Sequence, residues 1–187
     1  MNQFGRVGWL SVARALLQVA FYAALFFYVR STLILSAEFN AAVGALCMGS
    51  ELVMVIAAGL MMLTYIWQLR LYCGVLGRDR ERMGQTAPAG SGAKYSQEVR
   101  DWANSIFEEV GDWHRGRRQW FFVCFCALLG WIVDSIGLRI ALFEGDGASR
   151  NYGAPFPIIG LTGYVFLELK ELYRKVRFER QHTAVHQ

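Results

Sequence analysis

Three apolar stretches, each longer than a helix needs to cross a membrane, constrain this chain more than any other feature. They cover residues 7–29, 41–67 and 120–143. A transmembrane helix needs about 20 apolar residues to cross a hydrocarbon core about 30 Å thick. A fourth apolar stretch, residues 155–168, is shorter. The sequence therefore predicts an all-α polytopic integral membrane protein with four transmembrane helices.

The composition agrees with a single membrane domain that covers residues 1–187. Hydrophobic residues make up 55% of the chain and charged residues 18%, whereas a soluble domain carries about 25% charged residues. The net charge of +4 is compatible with nucleic-acid binding. We favour another explanation, because Lys and Arg collect on the cytoplasmic side of membrane proteins. No nucleic-acid partner is expected.

The basic residues are distributed unevenly between the connections. They concentrate in the middle segment, residues 68–119, and in the tail after Leu167, while the connections 30–40 and 144–153 carry few. This bias predicts that both termini and the middle segment lie on the cytoplasmic or matrix side. The expected location is a bacterial inner or mitochondrial inner membrane, with lipids as direct partners.

The middle segment predicts a linker followed by an amphipathic helix. Residues 84–94 are rich in small residues, and residues 96–115 carry an apolar face at helical spacing, with Ser96 as the N-cap. Its docking candidates are Trp102, Ile106, Val110 and Trp113. This face either meets the membrane surface or a partner, or packs against the chain's own helix ends. A second amphipathic helix is predicted at residues 168–181.

Five charged residues fall within the predicted spans, where each costs roughly 3 kcal/mol or more. They are Arg14, Glu51, Asp134, Arg139 and Glu168. Counting the rise per residue places Glu51 and Asp134 at a similar depth, and brings Arg14 and Glu168 near each other. One hypothesis makes the two acids part of an ion or proton path. The favoured hypothesis is interhelical ion pairing, with Arg139 as partner of either acid and Arg14 as partner of Glu168.

Small residues predict close contacts between the helices. The second stretch repeats a small residue every fourth position, and further glycines lie in the third and fourth stretches. These packing candidates are Ala41, Ala45, Gly49, Gly130, Gly160 and Gly163. The pattern leaves open whether the neighbouring helix belongs to this chain or to another.

Motifs for chemistry are missing from the sequence. The histidines His114, His182 and His186 lie outside the predicted spans, which excludes a bis-histidine haem within the bilayer for this chain alone. Metalloprotease, serine-hydrolase and phosphate-loop signatures are absent. We therefore expect no catalytic residues, no cofactor and no metal.

Two alternatives for the function remain. The third and fourth stretches, with Asp134 late in the third and residues 167–173 (LELKELY) closing the fourth, resemble some small phage holins. That resemblance implies a homo-oligomeric pore. The preferred expectation is a non-catalytic accessory subunit that scaffolds or stabilises a larger membrane assembly through protein–protein and lipid contacts, with a bioenergetic complex as an example.

Overall fold

The computed structural model describes residues 5–37, 41–86, 94–144 and 155–185 and folds them into five helices. These are α1 (Gly5–Ala37), α2 (Ala41–Thr86), α3 (Gln97–Ser105), α4 (Phe107–Glu144) and α5 (Pro155–Val185). Side chains are described for residues 9–35, 42–85, 94–137, 155–170, 172 and 173. Within the described ranges there is no β-strand, so the predicted all-α class is confirmed.

Three of the described helices are long and apolar enough to cross a membrane. The qualifying segments are Trp9–Leu35 in α1, Ala42–Gln85 in α2 and Phe107–Gly137 in α4. Their exposed side chains are largely apolar, as expected for surfaces that face lipid. The chain is thus a candidate membrane protein, while the predicted fourth span at 155–168 is not confirmed.

Helices α2 and α4 are longer than a bilayer requires. With 46 and 38 residues, they extend for about 69 and 57 Å at the usual rise per residue. We call residues 69–86 of α2, together with α3 and residues 107–118 of α4, the extension. Helix α1 likewise extends beyond the predicted span 7–29, to Ala37.

The predicted boundaries of the middle segment were partly wrong. Residues 84–86 of the predicted linker belong to α2, and residues 87–93 lie outside the described part of the chain. The predicted helix 96–115 is interrupted at Ile106, and its second half is continuous with the third span in α4. Neither Gly111 nor Gly116 ends α4, because a single glycine costs only about 1 kcal/mol in a helix. The predicted span 155–168 and the predicted helix 168–181 form one continuous helix, α5.

Two contacts connect α3 to the end of α2. Ser96 caps α3 as predicted, because its hydroxyl accepts a hydrogen bond from the Val99 N–H at 3.4 Å. The Ser96 N–H and hydroxyl in turn donate to Asp79 of α2 at 2.7 and 2.9 Å. The two bonds to Asp79 hold the start of α3 against the last part of α2.

The core lies between α1, α2 and α4, while α5 packs along α4. Trp120 of α4 contacts Phe21 of α1 edge-to-face and Tyr164 of α5 at a tilt, both with ring centroids 5.3 Å apart. One buried indole ring therefore holds α1 and α5 against α4.

Candidate functional site: two polar clusters in the helix bundle

Three buried polar side chains from three helices meet in one half of the bundle. Tyr28 of α1, Glu51 of α2 and Asp134 of α4 are 2%, 0% and 6% exposed. Glu51 interacts with both the Tyr28 hydroxyl and the Asp134 carboxyl group. We call these three residues the carboxyl cluster. Their proximity agrees with the predicted common depth of Glu51 and Asp134.

The small polar residues around this cluster are engaged elsewhere. Ser31 and Ser50 donate their hydroxyl hydrogen bonds to the carbonyl oxygens of Phe27 and Leu46, each within its own helix, at 2.8 Å. Among the described residues, neither carboxyl oxygen of Glu51 has a hydrogen-bond partner, and neither does the Tyr28 hydroxyl. The Glu51 carboxyl group and the Tyr28 hydroxyl are therefore buried close together without a hydrogen bond of normal geometry between them.

An apolar layer separates the carboxyl cluster from the extension. It is formed by buried side chains of α1, α2 and α4: Phe21, Met54, Ala57, Ala58, Met61, Trp120 and Val123. The layer is densely filled, since Ala58 and Met61 have no exposed surface. The described side chains of this layer therefore pack closely between the carboxyl cluster and the extension.

A second polar group surrounds the ring of Tyr65, on the side of this layer nearer the extension. The guanidinium carbon of Arg14 lies 4.6 Å from the Tyr65 ring centroid, a distance typical of a cation–π contact. Arg14 also donates hydrogen bonds to Gln68 Oε1 and, at 3.1 Å, to Ser11 Oγ. We call Arg14, Tyr65, Gln68, Gln119 and Glu168 the Tyr65 cluster.

Arg14 and Glu168 both interact with Tyr65, but each has a different hydrogen-bond partner. The amide of Gln119 donates to Glu168 Oε1 at 3.0 Å, while Arg14 binds Gln68. The ion pair found among the described residues joins Arg115 to Asp112 on the exposed surface of α4; Arg14 and Glu168 form none with each other. The predicted ion pair between Arg14 and Glu168 was therefore wrong: both side chains lie near the Tyr65 ring, but each binds a different amide. The side chain of Arg139, the other predicted partner, lies outside the described residues.

The predicted packing residues fall into two groups. Gly160 and Gly163 lie directly against α4: a Cβ atom added to either would come within 2.8 Å of Cys126 or Phe122, respectively. Gly130 is buried. Ala45 and Gly49 are instead exposed, and nothing lies within 4 Å of a Cβ built on Gly49. The side chain of Ala41 is outside the described part.

The predicted docking face packs mainly against the chain's own helix α2. The ring of Tyr72 lies 5.5 Å from Trp102 and 6.4 Å from Trp113, centroid to centroid. Trp113 is buried, while Ile106 and Val110 are half-buried. Of the two alternatives for this face, packing against the chain's own helix end accounts for both tryptophans.

Several contributors to these clusters were not singled out from the sequence. Tyr28 and Tyr65 have hydroxyl groups inside apolar stretches, which is a signal, but aromatic residues are common in such stretches. Gly116 packs against the Tyr65 ring, and nothing in the sequence distinguishes it from the exposed Gly111. Gln68 and Gln119 fall at the edges of the predicted spans, where polar residues are expected.

The side chains of the two clusters can bind protons and form hydrogen bonds. Within the described ranges, no group of three or more His, Cys, Asp or Glu side chains has an arrangement that could hold a metal ion. Comparison of the chain with protein-family models, curated proteins and solved structures finds no significant match.

Proposed function

We propose that this chain is a non-catalytic integral membrane subunit that scaffolds or stabilises a larger membrane assembly, such as a bioenergetic complex. The observation that carries the proposal is the face of α2 with Ala45 and Gly49: both are exposed, and no described atom lies within 4 Å of a Cβ built on Gly49. Small residues at four-residue spacing allow transmembrane helices to approach closely. In this proposal a helix of another subunit occupies that face.

The proposed topology has four spans, with both termini and the extension on the cytoplasmic or matrix side. A helix of 31 residues such as α5 measures about 46 Å, which is long enough to cross the hydrocarbon core and emerge from it. The exposed arginines Arg70, Arg78, Arg80, Arg82 and Arg118 lie in the extension, where the positive-inside tendency favours the cytoplasmic or matrix side.

The extension supplies a second proposed contact surface for partner subunits. The rings of Tyr72, Trp102 and Trp113 pack together inside it. The helices of the extension are therefore held together by side-chain contacts. Phe107 is 76% exposed beside Glu108 and Glu109. An exposed aromatic ring next to acidic residues suits a polar protein surface outside the bilayer better than lipid.

Purification in a mild detergent tests the scaffold role. We expect the native chain to co-purify with other membrane subunits, and Gly49→Leu to reduce that recovery without lowering the stability of the isolated chain. Ala23→Leu is the control, because it also enlarges an exposed small residue but lies on a different helix, α1, outside both proposed contact surfaces. A native chain that purifies as a stable monomer without partners would contradict the proposal.

A homo-oligomeric pore or ion-pathway protein is the second candidate, favoured by one observation. Glu51 is fully buried beside Asp134 and has no hydrogen-bond partner among the described residues, and ionisable groups inside membranes commonly mark ion or proton pathways. Ion flux in liposomes, reduced in Glu51→Gln or Asp134→Asn, is the expected result. Flux that is absent, or unaffected by both substitutions, rejects this candidate.

A further inference from the structure

The unpartnered oxygen atoms of the carboxyl cluster have an energetic consequence. Glu51 has no exposed surface, and both of its carboxyl oxygens lack a hydrogen-bond partner among the described residues. Moving an ionised carboxylate from water into such a site costs several kcal/mol even after relaxation. A neutral carboxylic acid avoids most of that cost.

Among the described residues, the groups that face Glu51 do not supply a compensating positive charge. From α1 comes the Tyr28 hydroxyl and from α4 the Asp134 carboxyl group, while Cys47, one turn earlier on α2, adjoins Tyr28. Of the two arginines whose side chains are described in α1, Arg30 is exposed, and Arg14 belongs to the Tyr65 cluster. Gln68, its partner there, is 17 residues from Glu51 on α2, or about 26 Å along the helix.

A second observation, independent of the two acids, points to the same site. The Tyr28 hydroxyl is buried, lacks a hydrogen-bond partner among the described residues, and interacts with Glu51. A phenol can both donate and accept, whereas an ionised carboxylate only accepts. A protonated Glu51 can donate a hydrogen bond to Asp134 and accept one from the Tyr28 hydroxyl. One added proton would thus give hydrogen-bond partners to both Glu51 oxygens and to the Tyr28 hydroxyl.

We propose that the carboxyl cluster is a proton-binding site in the membrane interior, in which Glu51 keeps its proton at neutral pH beside an ionised Asp134, with Tyr28 as hydrogen-bond donor. Two adjacent carboxylates repel each other, so a pair that holds one proton is the favoured state. The site extends the second candidate function by naming its ligand. It also stands without that function, because a bound proton need not move.

Infrared spectroscopy of the full chain in lipid bilayers tests the proposal directly. At about pH 7 a glutamate with its ordinary pKa of about 4.3 is ionised, so the C=O stretching band of a protonated carboxylic acid is diagnostic. We expect one such band, shifted by exchange into heavy water, lost in Glu51→Gln and retained in Asp134→Asn. In Tyr28→Phe the band changes frequency, because the hydrogen bond to the carbonyl oxygen is removed.

The controls separate this proposal from an ion pair and from the pore. Glu168→Gln removes an exposed carboxyl group on α5 and leaves the band intact. Native protein without a band at pH 7, or a band that persists in Glu51→Gln, overturns the proposal. So does a band that emerges only in Arg139→Gln, since Glu51 would then be ionised and paired with that arginine. If the infrared band is present but the liposomes show no ion flux, the proton site stands and only the ion-pathway function is rejected.

Discussion

The ring of Tyr65 on α2 occupies the space into which a side chain at position 116 of α4 would project. A Cβ atom added to Gly116 would lie 2.6 Å from Tyr65 Cε1, well inside van der Waals contact. The same ring supports Arg14 on α1. Glycine at this position therefore allows three helices to meet around one tyrosine.

Substitution of Gly116 by alanine should destabilise the bundle. The rigid ring of Tyr65 has to move to admit a methyl group, and overpacking of this kind costs about 1–3 kcal/mol. Unfolding of the purified chain in detergent, followed by tryptophan fluorescence, measures the change. Gly111→Ala on the same helix is the control: with nothing near its added Cβ, it should leave stability unchanged or raise it by up to about 1 kcal/mol. Equal responses of the two variants would contradict the close approach.

Gly160→Ala should weaken the attachment of α5 to α4. Its added methyl group would lie 2.8 Å from Cys126 Cβ and 3.6 Å from Val123 Cα, and neither atom can rotate away as the end of a long side chain can. We expect a loss of about 1–3 kcal/mol in the unfolding free energy and faster proteolysis of α5. Gly49→Ala serves as the comparison, because its Cβ meets open space in the single chain. Similar proteolysis rates for both variants would argue against the α4–α5 contact.

Trp113→Ala should loosen the extension. The indole ring is buried against Tyr72, and truncation of a buried tryptophan costs about 3–5 kcal/mol. Amide hydrogen exchange in residues 69–86 and 97–118 is the measurement, and protection should fall there more than in the apolar bundle. Phe107→Ala removes a mostly exposed ring and should stay within about 0.5 kcal/mol of the native chain. Unchanged protection in Trp113→Ala would show that the extension is held by other contacts.

Ser96→Ala and Asp79→Ala should prove energetically coupled. The first substitution removes the N-cap of α3, at a cost of about 1 kcal/mol, together with the hydroxyl bond to Asp79. A double-mutant cycle on unfolding should give a coupling energy of about 0.5–3 kcal/mol, as is usual for residues in contact. Ser105→Ala tests specificity, because the Ser105 hydroxyl donates to the Trp102 carbonyl of its own helix and no described bond joins it to Asp79. Its effect should add to that of Asp79→Ala. If the effects of Ser96→Ala and Asp79→Ala are additive, the hydrogen bond between them does not stabilise the attachment of α3.

Local sequence patterns located most of the helices and one cap. Long apolar runs predicted α1, the first part of α2 and the membrane part of α4, and Ser96 followed by Glu98 predicted the start of α3. Where the apolar run stopped, the prediction ended the helix too early. Helices α2 and α4 continue beyond the apolar runs because Tyr72, Trp102 and Trp113 pack there, and such packing between distant residues has no local signature.

Counting residues predicted which polar side chains lie at the same depth, but it did not predict their hydrogen-bond partners. The common depth of Glu51 and Asp134 follows from counting residues along straight helices, and they do interact. Counting also brought Arg14 near Glu168, yet their partners are Gln68 and Gln119. Depth along a helix is fixed by position in the sequence, whereas the direction of a side chain around the axis depends on how neighbouring helices are rotated.

The sequence by itself determined that this chain forms apolar helices suited to a bilayer, and which ionisable residues those helices carry. That follows from composition and periodicity, because lipid cannot satisfy backbone hydrogen bonds and so requires helices there. Only the tertiary structure decided that Tyr28 completes the carboxyl cluster, that the Tyr65 ring packs against Gly116, and that no described atom lies near a Cβ on Gly49. These are outcomes of helix rotation and pairing, which depend on the simultaneous fit of side chains far apart in the sequence.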